Sequence, residues 1–420
     1  MRKMKRAEES ILAEKRALHL FCLFCGSPLI GKSLILIPFL LIGFWIWRWR
    51  DSAWRQLKEA FRKVPELGFL FFFLGGYGVF SLIGFLRMPG SQFTGIDGPL
   101  YVVVFLLLFL AGFFVGIGIA DISVRECVNC LLAWSQIWGS LVAVNRLLMV
   151  YGLPYWGHGI VTDINPLASF FLIMTPLALM SVFWGENTSF RVIGFVSFCF
   201  FTIVLFKSTT SDVRYVFWIL GVMLVYFFYR SKTIHIVPFV LLLLLGVLLI
   251  MNSQAISSHL KDIDLLQKPF GEGSVPYFQK ILCYRDAIWQ GSLRVLGRNY
   301  WFGVGPGNFH KTVYPYLVSL KDYFGSDPDF WQAHNIFLHV FVTTGIWGGV
   351  FFLFSVLVQI RIATRLLVDE VMWPIGLGIS IVVLNIYLYG LFEPVVDSLL
   401  AILWGGLGFA VAHLAEPRTP

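Results

Sequence analysis

Three side chains able to manage charge or protons stand at the edges of apolar runs: Arg214, Arg285 and His334. Arginine stays charged and offers a planar fork of donors that fits phosphate oxygens. Histidine exchanges a proton near neutral pH. Together they suit a phosphate-linked substrate and a proton acceptor. Each also has a plain structural reading: an arginine at a helix end anchors to lipid headgroups, and a histidine ahead of a helix caps it or bonds a backbone carbonyl. Between Arg285 and His334 runs Gly303-Val304-Gly305-Pro306-Gly307-Asn308-Phe309. A dinucleotide fingerprint would need a strand before it and a βαβ unit around it, which this sequence does not supply. The motif therefore reads as a tight turn between two short helices, and its exposed amides could also form an anion-binding concavity.

Asp262 with Asp264 and Asp327 with Asp329 raise the question of a divalent metal. Carboxylates one residue apart arise easily in polar loops, and such a site needs further oxygen ligands, so no metal is expected. The six cysteines form no framework: Cys22, Cys25, Cys127, Cys130 and Cys199 lie in or beside apolar runs, and Cys283 stands apart. Buried thiols behave as small hydrophobes, so the zinc-like spacing of the first four is read as packing, and no disulfide is predicted.

The elements that must position these residues are apolar. The chain is 58% hydrophobic and only 13% charged, against about 25% charged in a soluble domain. Repeated apolar runs of about 17 to 25 residues are long enough to cross a bilayer as helices, whereas a barrel would show about 10-residue alternating segments. The expected fold is an all-α polytopic membrane protein with twelve spans, near 17–30, 33–47, 66–86, 99–120, 127–149, 167–184, 192–207, 215–229, 234–251, 335–360, 371–390 and 397–413. Residues 1–251 would hold the first nine, 252–334 one large loop containing short helices and the active site, and 335–420 the last three. Backbone of mixed polarity persists only outside the hydrocarbon or over a wet cavity, which marks that loop as the place for chemistry.

The net charge of +8 does not suggest nucleic acid, because the basic residues cluster between apolar runs: Arg48 to Lys63, Arg230 with Lys232, and Arg361 with Arg365. Such clusters belong to cytoplasmic loops. Both termini are thus expected in the cytoplasm, with the 252–334 loop on the opposite face, the periplasm in a bacterium. The charged N-terminal region has no small-residue cleavage pattern after it and does not read as a removable signal.

The order of the pieces carries a resemblance. Ser211-Asp212-Val213-Arg214 opens a helix, Trp289 follows Arg285 by four residues, then come Phe302 to Phe309, His334-Asn335 with Leu338, and Gly345 with Gly348-Gly349. This sequence resembles the O-antigen ligase and polymerase superfamily of bacterial envelopes. Thr162-Asp163-Ile164-Asn165-Pro166-Leu167-Ala168 is similar to a periplasmic stretch of that family, so the likeness spans residues 150 to 350. One departure concerns Arg214: members commonly carry Ser-Arg directly, whereas here Val213 precedes the arginine, and Lys207 could share its role.

The resemblance implies an inner-membrane glycosyltransferase that takes a glycan from undecaprenyl diphosphate without nucleotide sugar, cofactor or metal. The ligase acceptor would be the lipid A core, bound at the periplasmic face among membrane lipids. It further implies Arg285 and Arg214 on the departing diphosphate, His334 on the attacking hydroxyl, and Lys207, Asn335, Gly303, Gly305 and Gly307 in substrate binding. A polymerase would use the same donor but another lipid-linked glycan as acceptor. A transporter is a separate class; it would place charges deep in several spans or show two related halves, and here only Arg146 lies within a span away from the clustered charges.

Overall fold

The computed structural model describes residues 14–20, 22, 55–88, 90–91, 98–118, 122–154, 164–208, 213–231, 285–317, 332–391 and 397–415. Among these, helices and their turns make the whole fold and no strand occurs. After helical residues 14–20 and 55–63 come α1 (Glu66–Arg87), α2 (Pro99–Gly118), α3 (Val124–Val150), α4 (Ile164–Trp184), α5 (Thr188–Ser208) and α6 (Val213–Ser231). The remainder comprises α7 (Arg285–Arg298), α8 (Phe309–Val313), α9 (Ile336–Val368), α10 (Trp373–Tyr387) and α11 (Asp397–Ala415), with 3-10 turns at Tyr314–Tyr316 and Tyr389–Leu391.

The sequence encodes the starts and stops locally. Ser123 caps α3, its hydroxyl accepting from the Glu126 amide at 3.3 Å, the serine-to-glutamate spacing of a capping box. Asn187 accepts from the Phe190 amide at 2.8 Å and opens α5. In α1, Glu66 sits in the first turn and Arg87 in the last, the placement that complements the helix dipole.

Among the described residues, six helices are long and apolar enough to cross a membrane: α1, α3, α9, α10 with its following 3-10 turn, and the apolar parts of α4 and α5. α2, α6 and α11 contribute shorter apolar stretches at Val102–Gly118, Phe217–Tyr226 and Ile402–Ala415. Every predicted span from 66–86 to 215–229, and each of the three after residue 334, falls on a helix. Most of the predicted 17–47 hairpin, the span at 234–251 and most of the 252–334 loop lie outside the described residues.

Glycines let α2 and α11 meet backbone to backbone. A Cβ on Gly112 would collide with the Gly405 carbonyl, one on Gly408 with the Phe109 carbonyl, and one on Gly116 would crowd Phe409 and Ala412. This is the small-residue seam by which helices associate in lipid, where no hydrophobic force separates helix from tail.

The charges of α1 define two ends of the bundle. Glu66, its side chain 8% exposed, accepts from Arg361 Nε at 3.1 Å and from an Arg365 guanidinium nitrogen at 3.0 Å. Lys63 Nζ donates to the Ala415 carbonyl at 2.6 Å, and Arg365 donates to the Lys63 carbonyl. The basic flanks at 55–63 and 361–365 therefore meet at one end, as their charge pattern predicted. At the other end of α1, Arg87 lies 4.4 Å over the Phe302 ring, and Asn308 Nδ2 donates to Ser91 Oγ at 3.0 Å. The glycine motif thus sits at the opposite end of the same helix.

Candidate active site

The site is built around a break that the apolar pattern conceals. Residues 335–360 read as one straight span, but α9 folds at Gly345, whose φ of 75° and ψ of −175° belong to glycine alone. A straight helix would set Phe337 and Phe352 about 22 Å apart, yet their ring centroids are 5.9 Å apart. Phe341 also lies against Gly349, where a Cβ would strike its ring. The predicted span is therefore corrected: a short arm, 336–344, turns back toward a long arm, 346–368, and the long arm alone is about 34 Å long.

Such a bend strands backbone groups, and the glycine motif satisfies them. The Val304 amide donates to the Val342 carbonyl at 2.9 Å, the Gly305 amide to the Thr343 carbonyl at 2.9 Å, and the Ile346 amide to the Tyr300 carbonyl at 2.8 Å. Gly303 and Gly345 make the approach feasible, since a Cβ on either would enter the other segment's backbone. The expected turn between two helices is present, joining α7 to α8. Two of the motif's amides are engaged within the protein: that of Gly305 with Thr343, and that of Gly303 with the Asn299 carbonyl at 2.9 Å. Gly307 keeps the left-handed φ of 75° that its turn requires.

A small core separate from the membrane bundle holds these pieces together. It comprises Ile288 and Val295 of α7, Val304, Phe309, Val313 and Leu317 around the motif, and Ala333 and Val342 around the short arm. His334 follows buried Ala333 directly, is half-buried itself, and has a positive φ of 49°. Trp289 Nε1 donates to the Ala333 carbonyl at 3.0 Å. Arg285, 5% exposed, lies one helical turn before Trp289 and so on the same face of α7. The structure thereby directs the Arg285 face toward the His334 boundary.

Asn335 has a structural role. Its backbone is extended and its Oδ1 accepts from the Leu338 amide at 2.9 Å, capping the short arm. Replacing such a cap by alanine costs about 1 kcal/mol. Asn335→Ala should therefore lower the melting temperature in detergent, and Asn335→Asp should restore it; an unchanged melt with weakened donor binding would instead make Asn335 a substrate contact.

Lys207 lies in the last turn of α5 and Arg214 in the first turn of α6; their side chains lie outside what the structure describes. Phe217, one turn along from Val213, has its ring 5.5 Å from that of Tyr389, and Tyr387 lies 6.2 Å from Phe337 of the short arm. The start of α6 is thus linked to the short arm through the end of α10. His339 went unremarked in the sequence because it stands inside an apolar run; it is buried, with its ring 5.0 Å from Phe309. Its spacing from Asn335, one turn on the same helix face, was the available signal. The paired aspartates at 262–264 and 327–329, and Cys283, lie outside the described residues.

Among the described residues, long apolar helices packed into a bundle are the architecture of a multi-pass membrane protein. The O-antigen ligase family model matches residues 194–353, a segment that contains Lys207, Arg214, Arg285, Gly303, Gly305, Gly307, His334 and Asn335. That segment, rather than the chain as a whole, is similar to the O-antigen ligase family. No curated protein matches the chain.

Proposed function

We propose that this protein is an O-antigen ligase, moving a glycan from undecaprenyl diphosphate to the lipid A core on the periplasmic face of the bacterial inner membrane. The observation that carries this reading is the seat of His334 against the helix of Arg285, within the segment that matches the family. The ionic cluster of Glu66, Arg361 and Arg365 supports the sidedness, since basic flanks stay cytoplasmic and the site lies at the other end of α1.

In the transfer, the acceptor hydroxyl oxygen attacks the anomeric carbon while the bond to the diphosphate oxygen breaks with its electron pair. The configuration inverts in this single displacement. His334 accepts the hydroxyl proton. Arg285 and Arg214, with Lys207 nearby in sequence, neutralise the diphosphate as it leaves, charge that fixed guanidinium donors stabilise well. The test supplies purified protein with undecaprenyl diphosphate glycan and lipid A core, then identifies which lipid gains sugar. Sugar on the core supports the ligase; longer lipid-linked glycan with untouched core would show a polymerase instead.

Arg285→Lys should fail nearly as completely as Arg285→Ala. Lysine keeps the charge but loses the planar fork, and a diphosphate gripped at two oxygens needs geometry as well as sign. An interfacial anchor would accept lysine readily, so a lysine variant with intact donor binding and turnover would remove Arg285 from the clamp.

A further inference from the structure

We propose that Trp289 is a positioning residue for His334, acting through the peptide that joins Ala333 to His334. This rests on His334 being the base of the transfer. A non-glycine residue at φ 49° persists only when its surroundings over-determine it, because the left-handed region costs about 1–2 kcal/mol. The determinants lie on both sides. After His334, Asn335 is fixed by its cap on Leu338.

Before it, the Ala333 methyl is buried in the small loop core, and its carbonyl accepts the indole N–H of Trp289 at 3.0 Å. That carbonyl shares a rigid plane with the His334 amide, so holding its oxygen fixes the rotation that sets φ at His334. Without the indole donor, the plane is free to turn toward the ordinary region, and the imidazole swings with it. Trp289 and Arg285 occupy one face of α7. One helix thus carries an arginine for the diphosphate and, a turn later, the side chain that sets the aim of the base.

Trp289→Phe keeps an aromatic ring at the position and removes the indole donor, along with part of the indole's bulk. Turnover should fall by about 10- to 100-fold, the scale of a catalytic group displaced by an ångström, while the KM for donor and the melting temperature stay near wild type. In a His334→Ala background the same substitution should change turnover little. An equal fold loss in both backgrounds would overturn the proposal, since Trp289 would then act independently of His334.

A second readout needs no turnover. In protein carrying ¹⁵N-labelled histidine, the His334 imidazole resonance, identified by its loss in His334→Ala, should move in Trp289→Phe. An unmoved resonance would overturn the proposal. Wild-type turnover in His334→Ala would instead remove His334 as the base, a separate failure, because the resonance reports positioning alone.

Discussion

His334→Ala is expected to lower glycan transfer by about 10² to 10⁴, the usual contribution of a general base, with insertion and folding intact. His334 is half-buried and stands outside the regular helix, between Ala333 and the Asn335 cap. Its side chain is only part-buried, so removing it leaves a smaller cavity than truncating a fully buried core residue would. Relaxing its positive φ to that of alanine changes little, because both residues carry a Cβ and meet the same backbone penalty. The measurement is single-turnover transfer from lipid-linked donor, beside a melting curve in the same detergent. Wild-type turnover would exclude the histidine from proton transfer, and a collapsed melt would show that it holds the loop together.

The second large effect is expected at Gly345. Gly345→Ala places a Cβ against the Trp301 carbonyl at a φ of 75° and ψ of −175°, a conformation costing about 1–3 kcal/mol for other residues. The three backbone bonds between residues 300–305 and 342–346 depend on that bend. The short arm should therefore separate from the glycine motif, lowering both the melting temperature and the transfer rate. Gly68→Ala serves as the control: nothing lies within 4 Å of a Cβ there, so stability should hold or rise by up to about 1 kcal/mol. If Gly345→Ala melts and turns over like the parent, the bend has no part in building the site.

Most of the described spans were legible because crossing a bilayer demands long apolar runs, and α1, α3 and α4 announce themselves that way. The bend was not. Phe341 through Trp347 carries no charge and no proline around Gly345, with Thr343 and Thr344 as its polar members, and glycine is common in membrane helices. The glycine motif was readable as a turn, but its partner was hidden, because backbone amides bonding backbone carbonyls leave no mark on residue type. The cap at Asn335 was legible, since an asparagine ahead of an apolar run signals one, and its Oδ1 accepts from the Leu338 amide. Arg285 and His334 emerged from residue type and order together, and the bond that ties the helix of Arg285 to the residue before His334, from Trp289 to Ala333, required coordinates.

The glycine seam between α2 and α11 bears on biogenesis. Gly112 and Gly408 come within contact of each other's helices although nearly the whole downstream chain separates them. As the polypeptide leaves the ribosome, α2 enters the membrane long before α11 exists, with a flat glycine face lacking its partner. Closure of the bundle is consequently a late event in synthesis. A premature stop ahead of Asp397 would leave that face open to lipid or to quality-control proteases, even though Arg285, the glycine motif and His334 had already been translated.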